Sequence, residues 1–423
     1  MAFKVGSSLN SDKASSTSDG IPYLWGTGDT TTGISNENKI TASDQDTDDF
    51  FGQSVAVGFN KIVVGAWRND GSYPDTHGAI YIYDLDGTNE IKITNGISEQ
   101  LGISVAIGSG RIVAGARKNN SGVGKAYIYD LEGNELHTLL PYYTLGPPEF
   151  GSAVAIGHNK VVVGCRNDSF NISAGIGCFY IFNALTGQRD ESIGNNGRIG
   201  PPDSNFDQFG SAVAIGCGII VIGDFTNDTQ QTNAGAIAIY DLNGNHKSTI
   251  YASDPGASDH FGQSVAVGSG RIVVGAPGDN PSDQGAAYIL DLEGNELKKL
   301  TAPDAAALSN FGTSVAIGSG RIVVGSPFQS TLGRGSIYIF DLEGNFIAKK
   351  VPDSYPTPNS YSTPYARFGQ SVAIDSSAGK VVAGASSEDA DESGDDREGA
   401  AYIYDTPNVY TLYDAIELNR GYK

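Results

Sequence analysis

Cysteine is almost missing from this chain: three residues in 423. Cys165, Cys178 and Cys217 are too few and too irregularly spaced for a disulfide framework, which excludes a small secreted disulfide scaffold. They read as small packing residues of a reducing compartment. Cys165 and Cys178 are expected on neighbouring strands at positions filled elsewhere by Ala, and Cys217 beside a turn. Basic residues are also scarce, 27 Lys and Arg against 48 Asp and Glu, for a net charge of −21. Such a surface repels phosphate backbones and anionic headgroups, so nucleic acid is excluded as a partner. It keeps a protein soluble, and salt would screen its self-repulsion. No apolar stretch approaches membrane-spanning length, and Met1-Ala2-Phe3-Lys4-Val5 lacks the hydrophobic run of a signal peptide. Membrane insertion is therefore not expected, and synthesis in a cytoplasm is.

Signs of chemistry are equally thin. His77, His137, His158, His246 and His260 show no ligand spacing with Cys or with one another. A Gly-x-Ser-x-Gly elbow, a phosphate loop and a His-Glu-x-x-His pair are all missing. No catalytic residue, metal site or cofactor is expected, and the chain reads as a non-enzyme. Carboxylates gather at 44–49 and 388–396 without EF-hand spacing, and solvated loops are the expectation there.

What the chain has in excess is glycine, 56 residues or about 13% against the usual ~7%. Without a collagen period this points to a β-protein with many tight turns. A Phe/Leu-Gly-x-Ser/Ala-Val-Ala block recurs at intervals of about fifty residues. It opens at Phe51, Leu101, Phe150, Phe209, Phe261, Phe311 and Phe368. The unit from Phe261 parses into strand A (264–267), a Gly-Ser-Gly turn with glycines at positive φ, and strand B (271–275). Strand C (286–290), the polar turn Asp291-Leu292-Glu293-Gly294-Asn295 and strand D (296–300) follow. Four short antiparallel strands, repeated, describe a propeller blade. One blade cannot bury both faces, so neighbours must stack and the ring must close. The fold class is all-β, a seven-bladed β-propeller of four-stranded antiparallel blades closed by a terminal strand.

Strand C carries aromatics two apart, as at Tyr81 and Tyr83 or Tyr402 and Tyr404, which period two sets on one face for packing between blades. Residues 38–42 precede the first block as strand D precedes the others, and are expected to close the last blade. The rival is 409–413, directly after that blade's strand C. The chain then divides into an N-terminal arm (1–37) that can serve attachment, the propeller (38–406), and a C-terminal extension or alternative closing strand (407–423).

The recurring Phe-Gly followed by Val274-Gly275-Ala276-Pro277 resembles the FG-GAP repeat, the propeller repeat of integrin α-chains and of many microbial surface proteins. The resemblance covers about residues 38–405. It implies a binding module, and often a calcium loop between strands A and B. Here that link is Gly58-Phe59-Asn60 or Gly108-Ser109-Gly110, too short and too poor in carboxylates for six to eight oxygen ligands, so calcium is not carried over. The compact Gly-Ser-Gly and Asp-Leu-Glu-Gly-Asn turns are similar to propeller repeats of virion and tail-associated proteins of marine bacteriophages. That similarity implies a structural or adhesive component of a phage particle, made in the host cytoplasm and located in the virion. Its partners would be other virion or tail proteins, a host surface receptor or a glycan. A cellular FG-GAP-type module, cytoplasmic or at a cell surface, is the alternative reading, and a propeller enzyme the minor one.

Alternating strands put the A–B and C–D turns on one face and the B–C and D–A loops on the other. The first class is short and uniform. The second varies, at 68–77, 141–149, 188–208 and 352–367, and irregular loops on a rigid scaffold are where recognition lives. Tyrosines there offer amphipathic contact area. The expected recognition face comprises Tyr73, Tyr142, Tyr143, Tyr355, Tyr361 and Tyr365.

Overall fold

The computed structural model describes residues 35–69, 77–95, 99–118, 122–142, 148–168, 175–194, 196–202, 206–304, 306–329, 334–353, 366–375, 377–388 and 397–406. They form seven four-stranded antiparallel sheets with almost no helix, set in a ring as a β-propeller. In blade 5, strands A to D are Ser264–Gly268, Arg271–Ala276, Ala286–Leu290 and Glu296–Leu300. The A strands of successive blades contact one another all the way round, so A lies innermost. Strand B is sheathed on both faces, as its unbroken apolar run requires: Ile272, Val273 and Val274 are fully buried.

The core consists of seven clusters, one at each junction between blades. At the junction of blades 7 and 1, Phe51, Tyr81 and Tyr83 of blade 1 pack against Val382, Ala401 and Ile403 of blade 7. The opening Phe meets the first strand C aromatic edge-on, with ring centroids 5.3 Å apart for Phe51 and Tyr81 and 5.2 Å for Phe261 and Tyr288. Paired aromatics in strand C are thus packing groups between blades, as their spacing predicts.

Backbone, rather than side chains, makes the closest contact at each junction. Gly275 in strand B faces the carbonyl oxygen of Gly312 in blade 6, and a Cβ at Gly275 would lie 1.9 Å from that oxygen. Gly285, at φ +83°, opens strand C and forms a parallel bridge with Phe311 of blade 6. Ser264 Oγ donates to the same Gly312 carbonyl at 2.9 Å. Equivalent bridges occur at every junction, ending with Phe51 to Gly399 across the closure.

A strand from the N-terminal side closes the ring. Ser35–Ile40 pairs antiparallel with strand C of blade 7 (Ala400–Asp405), Ile40 opposite Ala401 and Asn38 opposite Ile403. It begins and ends a little earlier than the 38–42 expected, because Thr41 and Ala42 have already turned toward blade 1. The rival at 409–413, like residues 1–34 and 407–423 as a whole, lies outside the described residues.

Two turn expectations need correction. In the A–B turns the first glycine stays in the strand, and Ser269 (φ +48°) and Gly270 (φ +74°) form the two-residue turn. The first glycine is kept for room instead: a Cβ on Gly108 would sit 2.6 Å from the Ile156 carbonyl oxygen of the next blade. Cys217 is not beside its turn but inside it, at φ +50°. The stretch 188–208 is not one D–A loop either: Arg198–Ile199 is the short strand D of blade 3, so 188–197 belongs to the C–D connection that precedes it.

Gly275→Ala should lower stability by about 1–3 kcal/mol or more, because a backbone carbonyl cannot yield space as a side chain does. Ser264→Ala should cost only about 1 kcal/mol, one net hydrogen bond. Blades 3 and 4 already carry Ala153 and Ala212 at that position. Denaturant midpoints of the two variants check the order; equal losses would remove the backbone contact as the cause.

Candidate functional site

The B–C and D–A loops meet on one face, and their roots are built from buried polar groups. Four residues after the strand B glycine stands Asn69, Asp168, Asn227, Asp279, Gln329 or Glu388, each buried. Its carbonyl accepts the N–H of the glycine that opens strand C, as in Gly285 N to Asp279 O at 3.0 Å and Gly399 N to Glu388 O at 2.9 Å. In these six blades the B–C loop is thereby pinched shut at its base, whatever its length.

D–A loops are tied to both neighbouring B–C loops. Within a blade, Gly278 N donates to Asp259 O at 3.1 Å and Arg68 N to Asp49 O at 3.4 Å. Across a junction, Ser258 N donates to Thr232 O and Leu308 N to Ser282 O, both at 2.8 Å. The loop bases form a hydrogen-bonded ring, through backbone groups except within blades 4 and 6, where the Asp224 carboxylate accepts Asp207 N at 2.9 Å and Ser326 Oγ donates to Ser309 O at 2.8 Å.

Strand C tyrosines anchor this ring through their hydroxyls. Tyr288 donates to Asp279 Oδ2 at 2.6 Å and lies 2.9 Å from Asp254 Oδ1, while Lys299, opposite Tyr288 on strand D, bridges both carboxylates. Tyr338, Asp304 and Lys349 repeat the arrangement, as do Tyr81, Asp44 and Lys92. Tyr127 with Glu99 and Lys125, and Tyr402 with Glu388 and Lys39, are variants of it. Asp44, Asp254 and Asp304 each stand seven residues before the opening Phe, a spacing visible in sequence and missed there.

Burial, then the bonded carboxylate, holds the phenols of Tyr81, Tyr288 and Tyr338 protonated, far above the ordinary tyrosine range. For Asp254 and Asp304, burial pushes upward but the Lys and Tyr donors outweigh it, leaving both below the usual carboxylate range. Glu388 goes the other way, because its burial exceeds the pull of Lys39 and Tyr402. The acidic stretch 44–49 is a solvated loop only in part: Asp44 and Asp46 are exposed, whereas Asp49 is buried and accepts from Asn69 Nδ2 at 2.9 Å. Of the 388–396 stretch, only Glu388 falls among the described residues, and it is buried too.

Of the expected recognition tyrosines, Tyr142 is placed in the D–A connection between blades 2 and 3. It is 53% exposed, with the Arg189 guanidinium 5.0 Å from its ring centre. Tyr73, Tyr143, Tyr355, Tyr361 and Tyr365 lie outside the described residues. The opposite face differs in kind. Asp291 Oδ1 accepts the backbone N–H of Glu293 and Asn295, and Asp130, Asp241 and Asp341 repeat the motif.

Comparison with known families places the FG-GAP repeat at residues 34–83, 245–290 and 295–340. The second and third matches each run from strand D of one blade through strands A to C of the next, and the first uses the closing strand as its D. The chain thus carries FG-GAP repeats in a seven-bladed propeller. No curated protein matches it.

The anchors set a pH dependence. With folded pKa values below 3.8, Asp254 and Asp304 contribute stability that is present above pH 3.8 and lost as pH falls further. Both carboxylates are about half exposed, so each pair contributes at most about 1 kcal/mol. The double variant Asp254→Asn/Asp304→Asn should melt below the parent at neutral pH, with the gap closing below pH 3.8. A gap constant across a melting-temperature series from pH 7 to 3 would contradict this.

Proposed function

We propose that this propeller is a non-catalytic binding module whose B–C and D–A loop face engages a protein or a glycan. One observation carries the reading: loops of different length rise from a common, buried, hydrogen-bonded base, while the other face keeps short turns in most blades, the exceptions being the longer C–D connection of blade 3 and A–B link of blade 7. Rigid roots lower the ordering cost of binding, and variable loops above them supply individuality. FG-GAP repeats are in keeping with protein binding. The partner we favour is a neighbouring virion or tail protein, or a host receptor or glycan, with the chain as a structural or adhesive part of a phage particle. That narrower reading rests on the resemblance of its turns. The same face would serve a cellular module.

Tyr142, an exposed aromatic braced by a cation, is the first anchor to test. A photo-crosslinking residue at 142 should form an adduct in the cells that make the protein, and one at 132, on a C–D turn, should not. Once the partner is known, Tyr142→Ala should weaken binding roughly thirtyfold, about 2 kcal/mol. Adducts from 132 alone would assign binding to the opposite face. Sedimentation of the chain with phage particles supports the virion reading; its absence from purified particles ends it.

A further inference from the structure

Blade 3 differs from the others at one pair of facing positions, where strand B ends and strand C begins. Blades 1, 5 and 7 set Ala against Ala there (66 and 79, 276 and 286, 385 and 400), and blade 6 sets Ser326 against Ser336. Blade 3 sets Cys165 against Cys178. Both are free thiols and fully buried. Asp168, also fully buried, stands three residues after Cys165, whose Sγ lies 3.7 Å from Asp168 Oδ2. The two sulfurs and an Asp168 oxygen lie within 4.8 Å of one another, the one such group among the described residues.

We propose that Cys165, Cys178 and Asp168 form a zinc site. Two thiolates and a carboxylate are a donor set that suits Zn2+, and three protein ligands leave one tetrahedral position for a water. Charge balance favours it. Asp168 is already in contact with the buried Arg198 guanidinium, so those two charges cancel. Binding forms two Zn–S bonds and releases the two thiol protons to solvent, so a 2+ ion replaces two 1+ ions and the buried cluster stays neutral. Zinc binds thiolates, so its binding is coupled to loss of both thiol protons. Place matters as well. The site clamps the base of the B–C loop in the blade whose outer strand is only Arg198–Ile199, where the sheet is least able to hold that base itself.

The repeat supplies variants that should fold. Cys165→Ala/Cys178→Ala restores the pair of blades 1, 5 and 7, and Asp168→Asn restores the residue of blades 1 and 4, Asn69 and Asn227. Protein produced in cobalt-supplemented medium under reducing conditions should carry one Co2+ per chain, with a thiolate-to-cobalt charge-transfer band. The double Cys variant, folded by circular dichroism, should lose the band, and Asp168→Asn should bind Co2+ at least tenfold more weakly. A chelator should lower the unfolding midpoint of the parent but not of the double variant. Three results would overturn the site: no charge-transfer band in the parent, a band that survives in the double variant, or a Cys165–Cys178 disulfide in the purified parent found by mass spectrometry.

Discussion

Neighbouring blades touch backbone to backbone, and the rest of the molecule is arranged around that contact. At each junction the strand B glycine lies against the carbonyl of the next blade's Phe-Gly glycine, from Gly65 on Gly102 to Gly384 on Gly52. A side chain there would hold the blades apart and open the aromatic clusters beside the contact. This explains which parts of the repeat are kept. The glycine recurs in all seven blades, and the next residue is buried in each, small in six, as at Ala276, Ser326 and Cys165, with Asp224 in blade 4. The proline of Gly-Ala-Pro becomes Trp67, Arg166 or Phe225, because that position has already left the sheet for the loop, where no neighbouring backbone constrains it.

A closed ring of such contacts has no free end, and the chain achieves this twice. Ser35–Ile40 completes blade 7 as its fourth strand, while Phe51 and Gly52 of blade 1 receive the bridge from Gly399 and the hydrogen bond from Ser371 Oγ at 2.8 Å. The FG-GAP unit, beginning one strand before the blade, has this overlap built in. Each repeat spans a junction, so every copy of the sequence unit brings the interface with it.

Fold and strand order were legible because the signals are local and repeated: Phe-Gly, the apolar strand B and the aromatic pairs of strand C. The turn residues were half legible. Glycine marked where turns fall, but which glycine takes positive φ depends on what the adjacent blade leaves open, as at Gly108 and Gly110. The loop roots were not read. Asp44 looked like a loop acid and Asp254 drew no reading, because their partners Tyr81 and Tyr288 lie more than thirty residues away and the pairing exists only once strand C is in place. Cys165 and Cys178 were placed on neighbouring strands from their Ala counterparts. That they face each other beside a buried carboxylate required the register.

The two faces follow from one asymmetry in chain geometry. Strands A and B, and C and D, are joined by turns that their own backbone closes, the Asp291-type side chain capping its own amides. Such turns have little to gain from variation. Strands B and C, and D and the next A, are joined across larger gaps, and the chain closes these with groups from different elements: a buried amide or carboxylate, a strand C phenol and a strand D lysine. Burying these groups is costly unless each finds its partners, so the roots vary little in kind, mostly Asn, Asp, Gln or Glu at one position and Tyr at the other. Everything above the roots is released from that constraint. The freedom of the loops is thus a product of the rigidity beneath them, and a partner that binds this propeller meets individual loops standing on a common base.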